Sequence, residues 1–116
     1  GAAEPALLSK NIVNALINGP TGKNLVRTLP AGVDCRAFYL TDKGTAYVDF
    51  SADIREKHPG GSEAELLAIY SIVNSLVLNV DEVKNVKILV EGGEADTLGG
   101  HIDLRLPFDA NMRMVR

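Results

Sequence analysis

Few side chains of this chain could act as a nucleophile, a base or a metal ligand, because it contains only two His and one Cys. His101 and Asp103 lie two residues apart in an alternating run, a spacing that places both on one face of a strand and could hold a metal with a third ligand. The sequence offers no third ligand, and a solvated strand face explains the pair more simply. His58 lies near Asp53 and Glu56, where an acid or base could act, but no nucleophile accompanies it. The sequence therefore predicts that the protein is not an enzyme.

Three further motifs match known chemistry only weakly. Cys35 lies among apolar residues with no His near it in sequence, so we interpret it as a buried or half-buried hydrophobe. Residues 19–24 read Gly-Pro-Thr-Gly-Lys-Asn, which lacks the first Gly and the final Ser or Thr of a phosphate-binding loop. Residues 91–100 carry three acidic residues among four glycines, but their spacing differs from an EF-hand loop. We predict no metal, nucleotide or other cofactor.

Length and composition predict one compact soluble domain. The 116 residues fit a single core, and 46% hydrophobic content is too high for a disordered chain. The sequence lacks the apolar run of about 18 residues that a membrane-spanning helix needs. The net charge is −3 and the Lys and Arg residues are scattered, so the sequence predicts no basic patch that could bind the phosphates of a nucleic acid. The chain starts without Met, so we assign residues 1–3 to a short remnant of an expression tag or a linker. We assign residues 4–108 to the domain and 109–116 to a C-terminal tail.

The first half of the chain predicts a helix followed by a β-hairpin. Residues 5–18 favour a helix that ends at Gly19-Pro20, with a buried stripe at helical spacing formed by Leu8, Ile12, Ala15 and Leu16. An irregular connector follows, in which three residues should pack against the core: Leu25, Val26 and Leu29. Residues 33–40 and 45–51 favour strands on either side of Thr41-Asp42-Lys43-Gly44, a turn that a glycine with positive φ should close.

The second half predicts a long helix and two more strands. Ser62 and Glu65 fit a capping box, and apolar residues from Leu66 to Val80 recur at helical spacing. Residues 86–90 and 101–106 alternate between apolar and polar, which predicts the third and fourth strands, with Ile102, Leu104 and Leu106 facing inward. Alternating strands leave one sheet face uncovered. The predicted fold class is α+β: a two-layer sandwich of order α-β-β-α-β-β, with two helices on one face of a four-stranded mixed sheet.

The uncovered sheet face is the remaining candidate site. Alternation predicts that it carries a mixture of aromatic, apolar and charged side chains: Tyr47, Asp49, Lys87, Leu89, Glu91, His101, Asp103 and Arg105, with Tyr39 nearby. This mixture is typical of a contact surface, and equally of a solvated face with scattered apolar residues. We take four of these residues as contact positions for a partner: Tyr47, Leu89, His101 and Arg105.

Several motifs keep a characteristic order along residues 6–108. They are Asn-Gly-Pro at 18–20, Leu-Pro-Ala-Gly at 29–32, Ala-Tyr-Val-Asp-Phe-Ser at 46–51, Gly-Ser-Glu at 61–63, Ser-Ile-Val-Asn-Ser-Leu at 71–76, and the alternation of 86–90. Together they resemble the GerMN domain of spore-germination and sporulation proteins, which also occurs in envelope lipoproteins of bacteria that do not sporulate. Phe50 and Ser75 stand where the family usually has Leu and Thr, and both keep the character of the position.

The resemblance implies an extracytoplasmic domain, usually behind a lipoprotein signal or membrane anchor, and similarity to the ring-building modules of secretion machinery. The family has no established catalytic residues, so the resemblance implies none in this chain. We therefore predict a non-catalytic interaction or assembly module of the bacterial cell envelope. Its partners would be other envelope proteins or copies of itself as a homo-oligomer at a membrane, with no nucleic acid and with membrane attachment only through an N-terminal anchor outside this sequence.

Two alternatives remain open at this stage. In the first, loops 53–61 and 91–100 bind a peptidoglycan glycan or peptide, although neither loop contains the aromatic side chain that glycan sites usually offer. In the second, a hydrolase, a deep pocket should join His58 or His101 to an acid.

Overall fold

The structure, a computed structural model, describes residues 3–19 and 27–114. Its helices are α1 (Ala3–Asn18), the short α2 (Asp53–Glu56) and α3 (Ser62–Asn79), and a 3₁₀ turn spans Met112–Met114. Its strands are β1 (Cys35–Leu40), β2 (Thr45–Phe50), β3 (Asn85–Val90) and β4 (Gly93–Glu94). No helix among these residues is long and apolar enough to cross a membrane. Residues 20–26, with Leu25, Val26 and most of the phosphate-loop-like motif, lie outside the description, and the domain limits given above stay a prediction.

The four strands form one sheet in the order β1-β2-β3-β4. β1 and β2 are antiparallel, β2 and β3 parallel, and β3 and β4 antiparallel. Alternate residues of the three long strands are buried against the helices: Phe38, Ala46, Val48, Phe50, Val86, Ile88 and Val90. The buried side of α3 supplies most of the opposing layer, through Ala68, Ile69, Ile72, Val73 and Leu76. The predicted two-layer α+β fold is confirmed, and Leu29 is buried in its core as expected.

The end of α1 lies where the sequence predicts it. The helix stops at Asn18, and Gly19 adopts φ +79° while its N–H donates to the Ala15 carbonyl at 3.2 Å. The Arg27 guanidinium donates to the carbonyl oxygens of Ile17 at 2.6 Å and Asn18 at 2.9 Å. A cation at the carboxyl end of a helix stabilises its last carbonyls. Arg27, which lies within the connector, therefore caps the end of α1.

The buried side of α1 differs from the prediction. Pro5, Ser9 and Val13 are buried, whereas Leu8 is 45% exposed and Ala15 is exposed. Ser9 can lie in the core because its hydroxyl donates to the Pro5 carbonyl at 2.7 Å, so no polar group is left unpaired. A buried serine does not register in a hydrophobic pattern. The predicted stripe is therefore wrong at Leu8 and Ala15.

The turn between β1 and β2 has the predicted form. Gly44 adopts φ +93°, and its N–H donates to the Thr41 carbonyl at 3.0 Å. The Thr41 N–H donates to the Thr45 carbonyl at 3.0 Å, which closes the hairpin. The Gly44 carbonyl accepts the Lys84 N–H at 2.7 Å, so the same glycine also joins the turn to the start of β3.

We expect Gly44→Ala to lower the free energy of unfolding by about 1–2 kcal/mol. A Cβ at this position would lie 2.6 Å from Lys84 Cγ and 3.0 Å from the Glu82 carbonyl oxygen, in addition to the strain of positive φ. Gly60→Ala is the matched control, because Gly60 has φ +87° but, apart from its chain neighbours, no atom in the described part of the chain lies within 4 Å of such a Cβ. Urea unfolding of both variants separates backbone strain from the steric clash, and an equal loss in the two would show that the contacts with Lys84 and Glu82 cost nothing.

The predicted fourth strand at residues 101–106 is wrong. The chain turns back directly after β3 through Glu91 (φ +51°) and Gly92 (φ +79°), and β4 pairs with Val90 and Leu89. It then leaves the sheet as a run of bends and returns only at Phe108, which forms a single bridge with Val86. The strand thus lies inside the predicted glycine-rich loop. Main-chain groups of His101, Ile102, Leu104 and Arg105 bind the buried side chains of Glu65 and Lys87 instead of a neighbouring strand.

A second irregular segment is held by a buried amide. Asn74, on α3, is 5% exposed; its Nδ2 donates to the Asn111 carbonyl at 2.9 Å, and its Oδ1 accepts the Asn111 N–H at 2.8 Å. An amide side chain can pair with a peptide group in this reciprocal way because it offers one donor and one acceptor side by side. The main chain at Asn111 is therefore fixed to the main helix.

Candidate functional site

The face of the sheet turned away from α1 and α3 is named here the outer face, and its central residues are Tyr39, Tyr47, Asp49, Lys87 and Leu89. The register places Tyr39 opposite Tyr47, Tyr47 beside Lys87, and Asp49 beside Leu89. Tyr39 is 66% exposed, and Tyr47 and Leu89 are half-buried. The face therefore offers two adjacent aromatic rings and one leucine to solvent.

The two charged residues of the outer face are buried within the domain. Asp49 is 6% exposed, and its carboxylate accepts the Gly92 N–H at 2.8 Å and lies 3.5 Å from an Arg36 guanidinium nitrogen. Arg36 also lies 3.5 Å from the Glu91 carboxylate. These contacts hold the β3–β4 turn against the end of β2, so Asp49 is not free to bind a ligand charge.

Lys87 is the second buried charge, with a side chain only 4% exposed. Its ammonium donates to the carbonyl oxygens of Leu104, at 3.1 Å, and of Arg105. The Glu94 carboxylate lies 3.4 Å away. Lys87 therefore fastens residues 104–105 to the sheet and contributes little exposed charge to the outer face.

Glu65 does not form the predicted capping box. Gly61 is the N-cap of α3 and no side chain caps the helix. The Glu65 carboxylate instead turns toward the loop 36 residues away, where it accepts the His101 N–H at 2.9 Å and the Ile102 N–H at 3.0 Å and contacts His101 Nδ1 at 2.7 Å. Glu65 is 0% exposed. The capping prediction fails because buried main-chain amides compete for the same carboxylate.

Burial of Glu65 disfavours its charged form, but hydrogen bonds from the Ile102 N–H, the His101 side chain and the main chain of Gly99 and His101 outweigh it and hold its pKa below the ordinary value of 4.5. A Cβ on Gly99 would lie 3.0 Å from Glu65 Oε1 and 3.1 Å from His58 Nδ1. Only a glycine permits so close an approach without displacing a neighbour. Glu65 is therefore an ionised anchor for this loop.

The predicted pair His101 and Asp103 does not converge on one point. His101 contacts Glu65, whereas the Asp103 carboxylate accepts hydrogen bonds from the Arg105 side chain and N–H, which hold its pKa below the ordinary value. His58 Nδ1 accepts the Gly60 N–H at 3.0 Å. Within residues 3–19 and 27–114, no group of three or more His, Cys, Asp or Glu side chains could hold a metal ion.

Cys35 is half-buried, as predicted. Burial raises the pKa of its thiol above the ordinary value, although an interaction with the backbone of Ala37 partly opposes this shift. The thiol therefore stays protonated at neutral pH and is a poor nucleophile. His101 contacts an acid, but no hydroxyl or thiol within the described part of the chain is hydrogen-bonded to its ring.

The structure brings together only part of the predicted contact set. Tyr47 and Leu89 share the outer face, and Arg105 is exposed on the segment that Lys87 fastens to it. His101 is drawn to α3 by Glu65 and does not belong to this group. Leu106, which the alternation places inward, is 73% exposed, whereas Leu104 is fully buried as predicted. Leu106 is thus a surface residue that the sequence pattern misplaces.

Two open grooves lie outside the outer face. One, of about 540 Å³, lies between the start of α1, the β1–β2 turn and residues 81–84. The other, of about 460 Å³, is lined by Ala52, Arg55, Glu56, Val90, Glu91 and Leu98. The second groove brings together the two loops that the sequence offers as ligand loops. Its lining contains no aromatic side chain.

Residues 2–96 match the family model named Germane, which is described as "Sporulation and spore germination". The chain belongs to the Germane family. The predicted resemblance to GerMN domains is therefore confirmed. No curated protein sequence matches the chain significantly.

Solved structures share the Germane fold at low sequence identity. A candidate lipoprotein from Clostridium perfringens is similar with TM-score 0.81 and 23% identity, over 91% of this chain and 69% of the other. The first GerMN domain of the sporulation protein GerM from Bacillus subtilis gives TM-score 0.70 and 20% identity, over 91% and 79%. The tandem GerMN domains of the same protein give TM-score 0.62 and 18% identity, over 92% and 38%. The Germane domain is therefore one unit of a fold that also occurs in tandem.

Proposed function

We propose that this Germane domain is a non-catalytic, extracytoplasmic interaction module of the bacterial cell envelope that binds another protein through its outer face. Similarity to a candidate lipoprotein and to a sporulation protein supports the compartment. The observation that carries the binding role is the uncovered cluster of Tyr39, Tyr47 and Leu89 on a face whose own charges are already paired.

Asp49 and Lys87 each have their own partners within the domain, and this makes the outer face suitable for protein contact. A partner that covers it need not strip water from an unpaired charge, which is the main cost of burying a polar surface. Tyrosine and arginine are the residue types that most often dominate protein interfaces. Tyr47 and Leu89 would form the centre of the contact, with Arg105 at its rim.

We expect Tyr47→Ala combined with Arg105→Glu to reduce recovery of the partner from an envelope fraction at least about tenfold, since each residue would contribute about 1 kcal/mol or more. Tyr47 is half-buried and Arg105 is hydrogen-bonded to Asp103, so the double variant should lose some stability but stay folded at the temperature of the binding assay, which its melting curve checks. Glu63→Gln, an exposed change on α3, serves as the control. Equal recovery by the double variant and this control would remove the outer face from the proposal.

A second candidate function rests on the groove of about 460 Å³, because it joins the two loops that a wall ligand would need. In that case titration with soluble peptidoglycan fragments should shift the amide resonances of residues 52–56 and 91–98. Protein binding at the outer face predicts no such clustered shifts. The lack of an aromatic platform in the groove favours the protein-binding function.

A further inference from the structure

We propose that the outer edge of β1 pairs antiparallel with β1 of a second copy of this chain, in a register centred on Tyr39. The pairing rests on the proposed interaction role, but it uses the main-chain groups at the edge of β1, whereas the proposed partner contact uses side chains of the outer face. It would join two four-stranded sheets into one continuous sheet around a two-fold axis. A two-fold contact requires a surface that is complementary to itself, and β1 meets this requirement.

The main chain of β1 is turned partly toward β2 and partly away from it. The Thr41 N–H donates to the Thr45 carbonyl, so alternation along an antiparallel ladder directs the peptide groups of Tyr39 toward Tyr47. The peptide groups of Phe38 and Leu40 then point away from the sheet. β1 is the terminal strand, and within the described ranges no backbone hydrogen bond from another segment reaches this edge. Water satisfies these groups in the free domain, and another extended backbone can replace it with a regular ladder of hydrogen bonds.

The opposite side of the sheet does not offer an equivalent edge. β4 contains two residues, and Phe108 occupies a further position beside Val86. Short, interrupted edge strands protect against strand addition. β1 contains six residues without proline, of the sequence Cys-Arg-Ala-Phe-Tyr-Leu. The edge of β1 is therefore the one suited to strand addition in the part of the chain that the structure describes.

Charges and aromatic residues select one register of the self-paired strand. With Tyr39 opposite its own copy, Phe38 pairs with Leu40 of the second copy. Arg36, the bulged residue that also contacts Asp49 and Glu91, then lies near the turn residue Asp42 of the second copy. Shifting the centre to Phe38 would place Asp34 opposite Asp42 and repel. The Tyr39-centred register also aligns Tyr47, Tyr39 and their two copies in one row on the outer face. Complementary charges and a central aromatic pair therefore agree on the same register.

A six-residue edge buries less surface than the roughly 1,200 Å² of a stable interface, so pairing should depend on protein concentration. Attachment of copies to one membrane would raise their effective concentration. A disulfide crosslink between the two copies can detect such a weakly associated dimer. In the proposed register Tyr39 forms a non-hydrogen-bonded pair with its copy, with Cα atoms about 4.5 Å apart, within the range that a disulfide spans.

The test uses Tyr39→Cys in a Cys35→Ser background, oxidised with glutathione disulfide at high protein concentration. Disulfide-linked dimer should form at least about tenfold faster than in Glu63→Cys, an exposed control on α3. Adding Asp42→Lys should slow the Tyr39→Cys reaction, whereas Asp81→Lys should leave it unchanged. Equal rates for the two cysteine positions, or no difference between the two lysine variants, would overturn the proposal. Partner recovery through Tyr47 and Arg105 is measured separately, so a negative crosslinking result would contradict the β1 pairing without contradicting the proposed function.

Discussion

Replacing Glu65 by Gln is expected to lower the free energy of unfolding at pH 7 by about 2–4 kcal/mol, because hydrogen bonds to a charged group contribute about 1.5–3 kcal/mol each and a buried donor left unpaired costs a similar amount. The carboxylate accepts the N–H groups of His101 and Ile102 and contacts the His101 ring at full burial. A glutamine side chain has only one oxygen to accept hydrogen bonds from these donors, and its NH₂ group would face one of the remaining N–H groups. Urea unfolding measures the loss.

The same substitution should change how stability depends on pH. The pKa of Glu65 is lower in the folded state than its ordinary value of 4.5, so the folded state favours the ionised form. Its contribution is fully present above pH 4.5 and is lost as the pH falls through the lower, folded-state pKa. Wild type should therefore lose more stability than Glu65→Gln as the pH falls below about 5. The difference between the two proteins should shrink in acid.

Glu63→Gln is the matched control, because Glu63 lies on the same turn of α3 but is exposed. It should change stability by less than about 0.5 kcal/mol. A constant difference between wild type and Glu65→Gln from pH 7 to pH 3 would contradict the assignment of Glu65 as an ionised anchor. A loss confined to Glu63→Gln would contradict it as well.

Replacing Lys87 by Met is expected to lower the free energy of unfolding by about 2–3 kcal/mol, since it removes the charged donor to the carbonyl groups of Leu104 and Arg105. Methionine keeps most of the apolar stem, so the packing along β3 is preserved. Amide hydrogen exchange should quicken in residues 101–106, which Lys87 fastens through Leu104 and Arg105. Exchange in β2 should change far less, because the strand pairing of β2 and β3 is untouched.

Lys84→Met provides the control for Lys87, because Lys84 is exposed and its ammonium donates to the carbonyl of the nearby Asp81. It should leave the exchange of residues 101–106 unchanged. If Lys87→Met gave the same exchange pattern as Lys84→Met, the segment would be held by its apolar residues alone, such as the fully buried Leu104. The comparison thus separates the charged anchor from the hydrophobic one.

The candidate site shows which structural features can be predicted from local sequence patterns. Tyr47 and Leu89 lie on the outer face because strict alternation fixes the face of every residue in a paired strand. His101 and Leu106 were misplaced because residues 101–106 alternate like a strand but have no strand beside them. The sequence predicts a helix-capping role for Glu65 and an exposed position for Lys87, because nothing near them in sequence reveals the main-chain groups, 36 and 17 residues away, that they bind.

The sequence by itself determined the two main helices, the hairpin with its glycine turn, the inner face of the sheet and the family of the domain. These features depend on hydrophobic periodicity and on the conformational freedom of single residues, which are local properties of the chain. Only the tertiary structure decided where the fourth strand lies, which side of α1 is buried and which charges are already paired. Those outcomes depend on which distant donors and acceptors meet inside the core, where a buried polar group must find a partner and takes the one that packing provides.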